Sequence, residues 1–95
     1  MVNKTWSSKV HDQRYLKHVR THGCLVCARP SQAHHLTHVE GLRGMRRTGD
    51  QWAVPLCKAH HDHLHAHGNE GRWWALQGID GIEWAEAMYE WFQSN

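Results

Sequence analysis

Val54-Pro55-Leu56-Cys57-Lys58-Ala59-His60-His61-Asp62-His63-Leu64-His65-Ala66-His67-Gly68 is the stretch on which the fold turns. Pro55 stands just ahead of a segment free of helix breakers, and Gly68 stands where a left-handed C-terminal cap would fall. The reading is a helix from about Leu56 to His67, and nearly half of it is histidine. His61 and His65, at i and i+4, share one helix face and can grip one ion. His60 lies one residue, or about 100°, away from His61 and aims toward the side of Cys57 and Leu64. His63 and His67 make a rival i, i+4 pair on the far side of His60. One helix thus offers two separate edges to metal.

Metal is also what a chain of this size needs. Its 95 residues fit a single domain, 1–95, whose core is too small to be comfortable without a staple. Three cysteines cannot close a disulfide framework without leaving one over, whereas eleven histidines beside them point to metal. Zinc takes thiolate and imidazole in a tetrahedron. Cys24-x2-Cys27 forms a knuckle that brings two thiolates to one ion, and Cys57-x2-His60 supplies a second pair at the start of the helix. The expected structural site is therefore Cys24, Cys27, Cys57 and His60, which uses every cysteine in the chain.

Upstream of the helix, Gln32–Leu36 and Gln51–Val54 read as short strands of a hairpin. The long connection from Glu40 to Thr48 is punctuated by Gly41 and Gly44 and made basic by Arg43, Arg46 and Arg47. His34 and His35 are neighbours on the first strand, so they point to opposite faces. One can bind metal while the other takes a proton from water. His38 follows as a further ligand, a phosphate contact or a surface residue. Residues 1–11 are expected to be a ragged arm, followed by a helix from about Asp12 to Thr21 with Tyr15, Leu16 and Val19 on its apolar edge. Downstream, 71–79 is a connection or short helix around Trp73 and Trp74. A last helix spans about Gly81–Phe92, opened by Asp80 and Glu83 at capping-box spacing. Its stripe of Trp84, Ala85, Met88, Trp91 and Phe92 is expected to be core.

Charge is divided along the chain. Residues 1–49 hold nine Lys/Arg against two Asp/Glu, and residues 50–95 hold two against seven. The basic half suits phosphate contacts. Arg43, Arg46 and Arg47, with Lys17 and Arg20, are the candidates to hold phosphates without reading bases, the alternative being a solvated surface that is merely lopsided. No apolar run approaches membrane-spanning length, and the opening residues lack the apolar core of a signal peptide, so no membrane contact and a cytoplasmic location are expected.

Taken together, Cys24-x2-Cys27, Ala33-His34-His35-Leu36 and Val54-Pro55-Leu56-Cys57-x2-His60-His61-x3-His65 resemble an HNH (ββα-metal) endonuclease. The continuation Leu64-His65-x2-Gly68-x-Glu70-x2-Trp73-Trp74-x3-Gly78-Ile79-Asp80 is similar to the small phage- and prophage-borne branch related to the Ref recombination-enhancement nuclease. The resemblance covers roughly Tyr15–Trp91. It implies an α+β fold: a small zinc-stabilised ββα-metal (HNH, treble-clef-like) domain with flanking N- and C-terminal helices. It implies a metal-dependent DNA endonuclease of a bacterial host cell, with a recombinase filament as possible partner. His34, His61 and His65 would be the catalytic-metal ligands and His35 the general base. The cofactors implied are a structural Zn²⁺ and a catalytic Mg²⁺ or Mn²⁺, or Zn²⁺ or Ni²⁺ given three imidazoles. The chain departs from the family at the middle Asn of the motif: that position falls near Trp52, and Asp50 is the candidate substitute. The alternative to an enzyme is a zinc-stabilised nucleic-acid-binding module without catalysis.

Overall fold

The computed structural model describes residues 11–39 and 49–94. In chain order it has α1 (Gln13–Arg20), β1 (Gln32–His35), a 3-10 turn (Asp50–Trp52), β2 (Ala53–Leu56), α2 (Lys58–His67), α3 (Glu70–Gln77) and α4 (Gly81–Ser94). Among the described residues this is a small α+β arrangement with one two-stranded sheet and four α-helices. Arg43, Arg46 and Arg47 of the expected basic connection lie outside the described residues. Lys17 and Arg20 are exposed on α1. Among the described residues no helix is long and apolar enough to cross a membrane.

α1 begins where Asp12 caps it, its side chain accepting from the Tyr15 N–H at 3.0 Å. Tyr15, Leu16 and Val19 are buried as its spacing requires, while Lys17, His18 and Arg20 crowd the last turn, where the helix dipole favours cations. The chain then turns tightly through Cys24–Arg29. The Cys24 N–H donates to Arg29 O, the Ala28 N–H donates to Cys24 O, and Ala28 sits in the left-handed region at φ 66°. Only glycine fits at position 23, because a Cβ there would stand 2.6 Å from the Ala28 carbonyl oxygen.

β1 and β2 pair antiparallel, with His34 opposite Val54 and Ala33 opposite Pro55. Pro55 has no N–H to give, so Ala33–Pro55 must be a non-hydrogen-bonded pair of the ladder. Its carbonyl is then turned outward, where it accepts from the Leu25 N–H at 3.1 Å and ties the cysteine knuckle to the sheet. The second strand lies two residues later than its expected span, Gln51–Val54. Asp50–Trp52 winds into a 3-10 turn instead, because the Asp50 carboxylate is drawn to partners on α1 and β1. All four residues of β2 are buried: Val54 and Leu56 face one apolar cluster with Leu36, Trp73 and Trp74, and Ala53 faces another with Tyr15, Val19 and Met88. A strand covered on both sides reads as an apolar run rather than an alternation.

Cys57 is the N-cap of α2, and Gly68 closes it at φ 87° as its position foretold. The 71–79 segment is a true helix, α3, capped by Asn69. Trp73 and Trp74 are both fully enclosed, with rings meeting edge to face at 5.0 Å. α4 corrects one expectation. Ala85 and Met88 are buried and Phe92 partly so, but Trp84 and Trp91 are 49% and 56% exposed. At 100° per residue the inner stripe is Ala85, Met88 and Phe92, and the two tryptophans lie one position round it, on the rim.

Candidate metal centres

Among the described residues two groups of three or more side chains converge as possible metal ligands, and α2 serves both. The first is Cys24, Cys27, Cys57 and His60, whose ligand atoms all lie within 4.8 Å of one another. Cys27 Sγ and Cys57 Sγ are 3.7 Å apart, and His60 Nδ1 lies 3.2 Å from Cys57 Sγ and 3.8 Å from Cys24 Sγ. A tetrahedron with metal–sulfur bonds of about 2.3 Å has sulfur–sulfur edges of about 3.8 Å and sulfur–nitrogen edges of about 3.6 Å. The group has these dimensions, so it could hold a metal such as zinc.

Local structure prepares the sulfurs. The Val26 and His60 N–H groups point at Cys24 Sγ and Cys57 Sγ, each at 3.4 Å. Burial alone would raise the Cys24 thiol, but backbone N–H groups around it outweigh burial and bring its pKa down to about 6. Cys27 goes the other way. The Arg29 backbone lowers it, but partial burial and its neighbours Cys57 and Cys24 prevail and raise it. Adjacent thiolates repel one another, and a cation between them removes that conflict.

The second group is His34, His61 and His65. His61 and His65 present Nε2 atoms 3.2 Å apart from successive turns of α2, and the His34 ring lies 5.1 Å from that of His61, centroid to centroid. Burial, then the neighbouring His34 and His65, hold the His61 imidazole below its usual pKa, so its lone pair stays free at neutral pH. His34 is buried, and its Nε2 meets Glu70 Oε2 at 2.8 Å. That leaves Nδ1 as its ligand atom, the arrangement in which a carboxylate fixes the orientation of a metal-binding histidine.

Glu70 is the residue the sequence reading missed. It is buried at the start of α3 and receives His34 Nε2, the Thr37 N–H at 3.1 Å, the Thr37 hydroxyl at 2.6 Å and the Trp74 indole N–H at 3.0 Å. Burial raises its pKa, but these donors and the His34 charge win and bring it to about 2. Its signal was present as an acidic residue opening a helix next to a capping Asn69, within the double-tryptophan motif.

His35 is on the other side of the strand, as period-2 geometry requires, and its side chain is 36% exposed. Its Nε2 pairs with Asp50 Oδ1 at 2.8 Å, while Asp50 Oδ2 accepts the Asp12 N–H at 2.7 Å. Burial works against the Asp50 carboxylate, but His35 and the Asp12 N–H overcome it and lower the pKa. Asp50, not a residue at position 52, is therefore the group that holds His35. The rival helix pair is not brought to either group: His63 Nδ1 accepts from the Trp73 indole at 2.8 Å, and His67 is exposed. His38 is no ligand of either group; its Nδ1 is buried 3.9 Å from Glu70 Oε2 without a hydrogen bond.

A family model described as "Protein of unknown function (DUF968)" matches residues 3–87. Neither a curated protein nor a solved structure matches the chain.

Proposed function

The chain thus belongs to the DUF968 family, and we propose that it is a metal-dependent DNA endonuclease of the HNH, ββα-metal type. The observation that carries this reading is the divided histidine pair. His34 joins His61 and His65 under the hold of Glu70, and His35 is turned away from them and held by Asp50. A binding module needs neither the second ligand group nor a separately anchored imidazole. The resemblance of the double-tryptophan tail to the Ref-related branch supports a phage or prophage origin and a recombination-related role, with DNA and a recombinase filament as partners.

Three imidazoles, one buried and backed by a carboxylate, make a chemically suitable set for a divalent ion, and an all-nitrogen set favours Zn²⁺ or Ni²⁺ over Mg²⁺, with Mn²⁺ between. Such an ion would supply Lewis-acid stabilisation of charge on a phosphodiester and its leaving oxygen. The chain's own residues do the rest. With Nε2 turned to Asp50, His35 has Nδ1 left to take the proton from an attacking water. The Asp50 carboxylate fixes the tautomer and stabilises the imidazolium that forms. Lys17 and Arg20, exposed on α1, and Arg43, Arg46 and Arg47 hold backbone phosphates. Cys24, Cys27, Cys57 and His60 would hold a structural Zn²⁺, which would fasten the knuckle to α2.

Nicking of supercoiled plasmid with Mg²⁺, Mn²⁺, Zn²⁺ or EDTA tests this. His35→Ala should lower the rate by about 10²–10⁴-fold while leaving the fold, the structural metal and DNA affinity in place. His61→Ala should also stop cleavage, by weakening the second site, and excess Mn²⁺ should partly restore it but not His35→Ala. Loss of the second metal by His35→Ala, with His34→Ala keeping it, would exchange the two roles. Equal cutting by wild type and both variants would overturn the enzyme in favour of the binding module.

A further inference from the structure

α1 and α4 enclose a cleft of about 300 Å³, lined on one side by His18 and His22 and on the other by Trp84, Met88 and Trp91. His18 and His22 have Nε2 atoms 3.1 Å apart, and their rings meet edge to face with centroids 4.7 Å apart. The same i, i+4 arrangement occurs at His61 and His65, with 3.2 Å and 4.4 Å. The α1 pair therefore repeats, on the opposite flank of the sequence, the two-imidazole grip of the second metal centre.

The backbone holds it in place. His22 lies two residues beyond the end of α1, where the His22 N–H donates to Val19 O and the Thr21 N–H to His18 O, so the chain tightens into a 3-10 turn that keeps His22 beside His18. The Ser31 hydroxyl then donates to His22 O at 2.6 Å and anchors that turn to the chain ahead of β1. His18 lies flat against Trp91, with centroids 5.2 Å apart and planes 17° apart. An ion about 2.0–2.1 Å from both nitrogens would subtend an angle of about 100°, between the values for octahedral and tetrahedral coordination. α4, the facing wall, carries Glu83, Glu86 and Glu90 and neither Lys nor Arg, which offsets the Lys17 and Arg20 charges on α1.

We propose that His18 and His22 form a third metal site, for a borderline transition ion such as Ni²⁺ or Zn²⁺, with two protein ligands and its remaining positions open to water or to an external donor entering the α1–α4 cleft. The site is independent of the nuclease reading. Of its ligands neither belongs to the two groups on α2, and neither takes part in the proposed cleavage.

The test is titration with Ni²⁺ of protein carrying two equivalents of zinc, one for each group on α2, followed by calorimetry and by tryptophan emission, since an ion on His18 sits beside the Trp91 ring. Wild type should bind one further equivalent and lose emission in step with it. Even outer-sphere partners change metal affinity by about 10–100-fold, so His22→Ala, which removes a direct ligand at an exposed position, should weaken this step at least tenfold. His18→Gln should do the same, and circular dichroism and retained structural zinc show that each variant is folded. Trp91→Phe should keep the equivalent and lose most of the emission change, and His61→Ala, loaded with one zinc for the cysteine group alone, should keep the emission-linked equivalent. An extra equivalent bound with unchanged affinity by folded His22→Ala and His18→Gln, or no extra equivalent in wild type, would overturn the site and leave a hydrogen-bonded histidine pair.

Discussion

Glu70→Gln asks how much the fold depends on one buried carboxylate. In the native chain its two oxygens receive four donors, two from Thr37 and one each from His34 and Trp74. Glutamine can keep one oxygen for Thr37, but its amide nitrogen then faces the Trp74 indole N–H, donor against donor. The loss is a charge-assisted bond to His34, about 1.5–3 kcal/mol, together with a buried indole N–H left unpaired, about 1–3 kcal/mol. The pKa gives a second route to the size. Lowering Glu70 from 4.5 to about 2 corresponds to about 3 kcal/mol between its charged and neutral forms. Both routes lead to a destabilisation of about 3 kcal/mol at neutral pH. The sign of the pH dependence follows, because the folded pKa lies below the unfolded one. The contribution is whole above about 4.5 and is lost as pH falls toward about 2. Glutamine does not titrate, so the gap between wild type and variant should close over that window, and any loss of structural metal in acid is common to both. Urea unfolding monitored by tryptophan emission at several pH values measures it. A gap below about 1 kcal/mol at pH 7, or one that is unchanged at pH 3, would refute the reasoning.

Three further outcomes are expected. Cys24→Ser should lower tightly held zinc below one equivalent per chain and the unfolding midpoint with it, because metal-binding energy here is folding energy; metal analysis beside thermal melts reads both. Replacing Arg43, Arg46 and Arg47 with Ala should weaken binding evenly across DNA sequences and flatten the plot of log affinity against log salt by up to about three units, measured by fluorescence anisotropy. Asp50→Ala should lower the rate of DNA nicking with little change in DNA affinity, and Asp50→Asn, which can still accept from His35 Nε2, should recover part of that rate.

The helices, the cysteine group and the His61–His65 pair were legible because they rest on spacing, whereas His34 was assigned to that pair by the family resemblance. A CxxC knuckle, an i, i+4 pair and a glycine cap are local patterns, and the structure brings together the residues they named. What stayed hidden was set by contacts distant in sequence. Glu70 meets His34 across 36 residues, and Asp50 meets the Asp12 backbone across 38. No periodicity announces such meetings. The strand beginning at Ala53 was displaced by the same cause, since Asp50 bends the chain ahead of it. Trp84 and Trp91 were misplaced for another reason: a stripe five residues wide was credited wholly to the core, though a helix this near the surface buries only its central line.

His60 and His61 are neighbours on one helix, and each belongs to a different ligand group. Their rings stand about 5–6 Å from the helix axis, so turning α2 by 10° sweeps each through about 1 Å. Metal bonds tolerate about 0.2 Å, which corresponds to about 2°. A metal on Cys57 and His60 would therefore act as a keyway: it would fix the angle at which the shaft is mounted, and with it the aim of His61, the next residue, and of His65 one turn beyond that. Loosening the first fitting would put the second out of true with all of its own ligands intact. The converse does not hold, because a knuckle tied to the sheet keeps its bearing whether or not anything sits beyond it.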